Sequence, residues 1–102
     1  MSGNRVHVTL ISKPQCHLCE EARTVLQESL ARLTSEGVLT EYEELNMLDD
    51  AELAAKYQED IPVVLLDGRR HSYWRVDPDR FEAAVRKRAR RGFRGIFTRN
   101  TP

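Results

Sequence analysis

The chain has 102 residues, 40% of them hydrophobic and 31% charged, with two cysteines and 16 basic against 16 acidic side chains. That suffices for one domain with one modest core and excludes a second, and no apolar run reaches the roughly 20 residues that a membrane-spanning helix needs. The formal charge of zero hides an asymmetry, because nine basic and all sixteen acidic residues lie at or before Glu82, a balance of −7, while residues 83–102 carry +7.

Met1 to Arg5 leads directly into Val6-His7-Val8-Thr9-Leu10-Ile11, without the charged region, long apolar segment and cleavage site of a secretory signal. A cytoplasmic protein is expected. The run is β-branched and apolar with little alternation, the pattern of a strand covered on both faces. Ser12-Lys13-Pro14-Gln15 interrupts it, and because proline cannot continue a helix through its own position, the next helix must begin after Pro14. Leu18, Ala22, Val25, Leu26, Leu30 and Leu33 then recur every three or four residues and paint one helical face. Glu20 and Glu21 complement the positive end of that helix, Arg32 the negative end, and Gly37 marks its stop.

Val38 to Leu45 reads as a strand exposed on one side, since Glu41, Glu43 and Glu44 interrupt the alternation around Tyr42 and Leu45. Asp49 as an N-cap with Glu52 three residues later predicts a short helix through Tyr57, burying Leu53 and Tyr57. Ile61-Pro62 leads into Val63-Val64-Leu65-Leu66, where a trans proline opening an edge strand fits the residues as well as any other form. Asp67-Gly68 ahead of the extended run His71 to Val76 signals a hairpin. Asp77-Pro78 supplies the cap and first-turn proline of a last helix whose buried stripe is Phe81, Ala84 and Val85. The order β-α-β-α-β-β-α, two helical crossovers and then a hairpin, implies an α/β domain over residues 5–90, a four-stranded mixed sheet flanked by helices. Residues 91–102 are expected to form a basic, flexible C-terminal tail.

Cys16-His17-Leu18-Cys19 falls between the predicted first strand and first helix, and that place gives the spacing its meaning. Unpaired N–H groups and the dipole at a helix start stabilise a thiolate, so Cys16 is the expected nucleophile. Cys19, one turn on and on the same side, is the expected resolving thiol, able to attack a mixed disulfide without a second bimolecular encounter. Half of a zinc site and a pair of inert core cysteines are the competing readings. Zinc needs two more ligands, there is no third cysteine, and His7, His17 and His71 lack a ligand spacing, so no metal is expected. His17 reads either as a partial cation tuning the pair or as an exposed histidine without a chemical role. Lys13 reads either as a charge beside the thiolate and substrate or as a plain surface lysine. Tyr73 and Trp74 read as packing residues.

These residues resemble the glutaredoxin-like branch of the thioredoxin superfamily over roughly residues 5 to 88. The likeness rests on Lys13-Pro14-Gln15-Cys16-His17-Leu18-Cys19 after the first strand, Ile61-Pro62 before the third, and the element order. It implies a thioredoxin-like, glutaredoxin-type fold in which the proline before the third strand is cis and faces the disulfide. It also implies that the main chain of the preceding residue pairs with bound substrate, which gives Pro62 and Ile61 those places. The sequence departs from the family pattern twice. His17-Leu18 stands where Pro-Tyr is usual, and the Gly-Gly-x-x-Asp segment that holds glutathione is not visible in Tyr73-Trp74-Arg75-Val76-Asp77. No cofactor is therefore expected, and glutathione is expected to bind poorly.

The resulting expectation is a thiol–disulfide oxidoreductase acting on a disulfide-bearing protein or small molecule, with a reductase or dithiol as electron donor. The alternative is a non-catalytic thioredoxin-fold binding module whose basic end, which includes Arg86, Arg90, Arg94 and Arg99, recruits an acidic partner. Neither a membrane nor nucleic acid is an expected partner, since a block of like charge at a terminus is most simply a solvated end.

Overall fold

Alternation along the first strand decides which helices cover which face of the sheet. In the computed structural model, which describes residues 5–100 and side chains as far as residue 90, β1 spans Val6–Ser12 and its successive side chains point to opposite faces. Val6, Val8 and Leu10 pack with Ala22, Leu26 and Leu33 of α1 (His17–Ser35) and with Phe81 and Val85 of α3 (Pro78–Asn100). Ile11 turns the other way, joining Cys19, Met47, Ile61, Val63 and Tyr57, the last residue of α2 (Ala51–Tyr57).

The remaining strands are β2 (Thr40–Asn46), β3 (Val63–Leu66) and β4 (Arg69–Tyr73), and the sheet order is β2-β1-β3-β4. β1 runs parallel to β2 and antiparallel to β3, which pairs antiparallel with β4. The α/β architecture with a four-stranded mixed sheet is therefore present as expected. No helix among the described residues is long and apolar enough to cross a membrane.

Local chemistry explains the boundaries. Gly37, at φ +88°, ends α1 by turning its N–H to the Thr34 carbonyl, and the Val38 N–H reaches the Leu33 carbonyl, which helps to satisfy the last acceptors of the helix. Asp67 and Gly68 both take positive φ, the geometry of a two-residue hairpin turn, so β4 starts at Arg69, earlier than the run His71 to Val76 suggests. The helix α2 is capped by Asp50, not Asp49. Asp50 is extended and its carboxylate accepts from the N–H groups of Glu52 and Leu53, while Asp49 belongs to a 3-10 turn, Met47–Asp49, capped by Asn46. Asp77 caps α3 through the N–H groups of Asp79 and Arg80, with Pro78 in the first turn. The backbone of α3 continues as helix to Asn100, beyond the boundary near residue 90; the side chains of residues 91–100 and residues 101–102 lie outside the described part, and the expected tail behaviour lies there with them.

Candidate functional site

The turn between β1 and α1 places a sulfur where a helix cap belongs. Cys16 is extended (φ −116°, ψ 108°), and its Sγ accepts a hydrogen bond from the Cys19 N–H at 3.1 Å, the role that serine or aspartate oxygens usually fill at an N-cap. Its carbonyl accepts from Glu20 N–H at 3.1 Å, the first bond of the helix. Cys16 and Cys19 form a disulfide with their Cα atoms 5.1 Å apart. Cys16 is partly exposed, whereas Cys19 is fully buried. Cys16 is thus the more exposed of the two, and Cys19 is enclosed by apolar side chains.

A polar brace fixes the strand that delivers the turn. Glu44 on β2 accepts from Ser12 Oγ at 2.6 Å and from Arg23 Nε of α1 at 2.8 Å, tying the end of β1 to both neighbours. The Arg23 hydrogen bond, helped by Ser12 and opposed by burial, holds the Glu44 carboxyl below its usual range. Burial beside Glu44 pushes the Tyr42 hydroxyl up to about 12. Sequence reading missed this brace because its members are 21 and 32 residues apart.

The Ile61–Pro62 peptide bond is cis. Ile61 shares a cluster with Cys19, with Cys16 packed against it, and Pro62 is fully buried. Trp74, at φ +68°, donates its main-chain N–H to the Pro62 carbonyl at 2.8 Å and its indole Nε1–H to the Glu59 carbonyl at 3.1 Å. It is half-exposed and lines a groove of about 210 Å³ with Leu18, Ala22, Val25 and Val76. Arg75 and Glu21 face each other at 3.9 Å at that groove. The structure therefore brings Cys16, Cys19 and Ile61 together, with Pro62 next in the chain, and sets Leu18 and Trp74, which the sequence marks only as apolar positions, on one groove. Lys13 is exposed and lines a depression with Pro14, Arg23 and Asn46. His17 is exposed, its Nε2 3.4 Å from Glu21. Among the described residues, no three His, Cys, Asp or Glu side chains group to hold a metal ion.

The Glutaredoxin-like domain (DUF836) model matches residues 7–86. Uncharacterized proteins of Mycobacterium bovis and Mycobacterium tuberculosis are 32% identical to this chain over 82 residues, covering 80% of it and 84% of each of them. Among solved structures, human ERp44 superposes with a TM-score of 0.59 at 13% identity, over 82% of this chain and 27% of that one. A malarial protein superposes at 0.61 and 17% identity, over 82% and 97% of the two chains. The first two thioredoxin domains of Naumovozyma dairenensis Eps1p superpose at 0.57 and 20% identity, over 82% and 35%. These likenesses to solved structures are ones of fold. The family model, which matches most of the chain, and the 32%-identical relatives show that the chain belongs to the glutaredoxin-like domain family, with a thioredoxin-type fold.

Proposed function

We propose that the protein is a thiol–disulfide oxidoreductase with Cys16 as nucleophile and Cys19 as resolving thiol. The observation that carries this reading is the cap: the Cys16 sulfur receives the Cys19 N–H at the start of α1 and is the accessible member of the pair. In the dithiol form that N–H and the helix end favour the Cys16 thiolate, while apolar burial of Cys19 disfavours its charged form. The Cys16 thiolate attacks one sulfur of a substrate disulfide, forming a mixed disulfide and expelling the other sulfur as a thiolate. Cys19 then gives up its proton and attacks Cys16 Sγ, forming the intramolecular disulfide and releasing the second substrate thiolate. Two electrons pass to the substrate, and an external dithiol or a reductase restores the pair.

The rest of the site would position substrate. Among the described residues, the main-chain N–H and carbonyl of Ile61 enter no turn, loop or cap hydrogen bond, and in this scheme they pair with an extended substrate chain beside Cys16. No cofactor enters this scheme. Redox titration of the pair tests it: a midpoint within roughly −180 to −270 mV, the range of dithiol reductants and isomerases, is expected. Cys16→Ser should abolish reduction of a peptide disulfide, and Cys19→Ser should accumulate the mixed disulfide. Unchanged turnover by Cys16→Ser would overturn the proposal.

A further inference from the structure

The two edges of the sheet carry opposite charge. β2 presents Glu41, Glu43 and Glu44, whereas β4 begins Arg69-Arg70-His71. Between β4 and α3 lies a groove of about 180 Å³, floored by Leu66 and Ala84 and rimmed by Arg69, Arg70, Lys87 and Arg88. Arg88 pairs with Asp67 at 3.3 Å and Arg70 with Asp60 at 3.7 Å. Among the described residues, which include every acidic side chain of the protein, Arg69 and Lys87 enter no ion pair. His71, packed edge-on against Phe81 with ring centroids 6.0 Å apart, also lines the groove. Burial, then the charges of Arg80 and Arg88, push its pKa down.

We propose that this groove is a docking site for an acidic, extended segment of a partner polypeptide. The unpaired Arg69 and Lys87 call for carboxylates, and the apolar floor suits the aliphatic parts of a polypeptide better than a hydrated phosphodiester chain. β4 is an edge strand, so its outer main-chain groups can pair with an added strand, which nucleic acid cannot supply. The site also stands apart from the disulfide. Arg69 pairs with Leu66, which lies opposite Val8, whereas the other end of β4, at Tyr73, pairs with Val63 opposite Ile11. A partner held there leaves Cys16 open, and the proposal does not depend on the dithiol chemistry.

Fluorescence anisotropy of the full chain, titrated into a labelled peptide of alternating Glu and Val or into oligothymidylate of equal charge, tests the site without redox turnover. The peptide should bind more tightly than the oligonucleotide, and binding should weaken with added salt. The double variant Arg69→Glu, Lys87→Glu should weaken peptide binding about tenfold or more, as expected for charges that complement a partner. Both side chains are exposed, and an unchanged circular-dichroism unfolding midpoint confirms the fold; if the midpoint drops, the milder Arg69→Gln, Lys87→Gln pair must still weaken binding. Absence of peptide binding, indifference to these substitutions, or tighter oligonucleotide binding overturns the proposal. So does concentration-dependent self-association that either variant abolishes, because the occupant would then be the acidic β2 edge of a second copy.

Discussion

The indole Nε1–H of Trp74 donates to the Glu59 carbonyl at 3.1 Å, while the main-chain N–H of the same residue holds the Pro62 carbonyl at 2.8 Å. The only tryptophan of the chain thus spans the loop that presents Ile61 beside the disulfide. Trp74→Phe keeps an apolar wall and removes one neutral hydrogen bond to an accessible carbonyl, so it should cost about 0.5–1.5 kcal/mol of stability. Denaturant unfolding followed by circular dichroism should show a lower midpoint at unchanged slope. Turnover of a peptide disulfide should fall more than turnover of a small aromatic disulfide, because only the peptide needs the loop's main chain.

Stability should decline in acid, with Glu82 at the centre of the effect. Its buried carboxylate accepts from Ser29 Oγ at 2.6 Å and from Arg32 Nη2 at 2.7 Å, and Arg86 bridges it at 3.3 Å to Glu36. Arg32, with Ser29 and against burial, lowers the Glu82 pKa, and Glu36 and Glu44 are lowered by Arg86 and Arg23 respectively. A carboxyl whose folded pKa lies below its unfolded value contributes fully above the unfolded value, about 4.3 for glutamate, and loses that contribution as pH falls through the folded one. Unfolding free energy should therefore drop below about pH 4.3, and Glu82→Gln should flatten the profile. Glu82→Ala should cost about 1–3 kcal/mol, chiefly because it removes the acceptor of the buried Ser29 hydroxyl, which keeps only the 3.3 Å contact from Arg32 Nη2, while the partly exposed Arg86 can turn to water.

Glutathione should be a poor reductant for the pair. The Asp77 carboxylate already caps α3 through Asp79 and Arg80, and Arg75 faces Glu21, so the β4–α3 connection offers no free charged pair to hold a small zwitterion. Steady-state reduction of a peptide disulfide should be slower with glutathione than with dithiothreitol at equal thiol concentration. Equal rates would show that Arg75 or Lys13 supplies the missing contacts.

Periodicity and caps made much of the fold legible. Val6 to Ile11, the apolar stripe from Leu18 to Leu33, Asp67-Gly68 and Asp77-Pro78 each mark an element through local chemistry, and the cysteine spacing at a strand-to-helix junction marks the sulfur pair. Local chemistry misleads where neighbours compete for one role. Asp49 and Asp50 are both good caps, and only the Asn46-capped 3-10 turn decides between them. Residues acting across the chain left no signal: Glu82 meets Ser29 and Arg32 at separations of 53 and 50 residues. Trp74 reads as a packing residue because nothing in a sequence announces a tryptophan at positive φ, and the positive φ is what lets its main chain and indole hold the same loop.

The assignment of the two sulfurs is tested most directly in the reduced protein, by sub-stoichiometric iodoacetamide at mildly acidic pH with mass mapping of the modified cysteine. Cys16, capping α1 and partly exposed, should be alkylated first, with Cys19 modified only after unfolding or at alkaline pH. Modification of Cys19 first, or of both at equal rates, would contradict the assignment and the mechanism built on it.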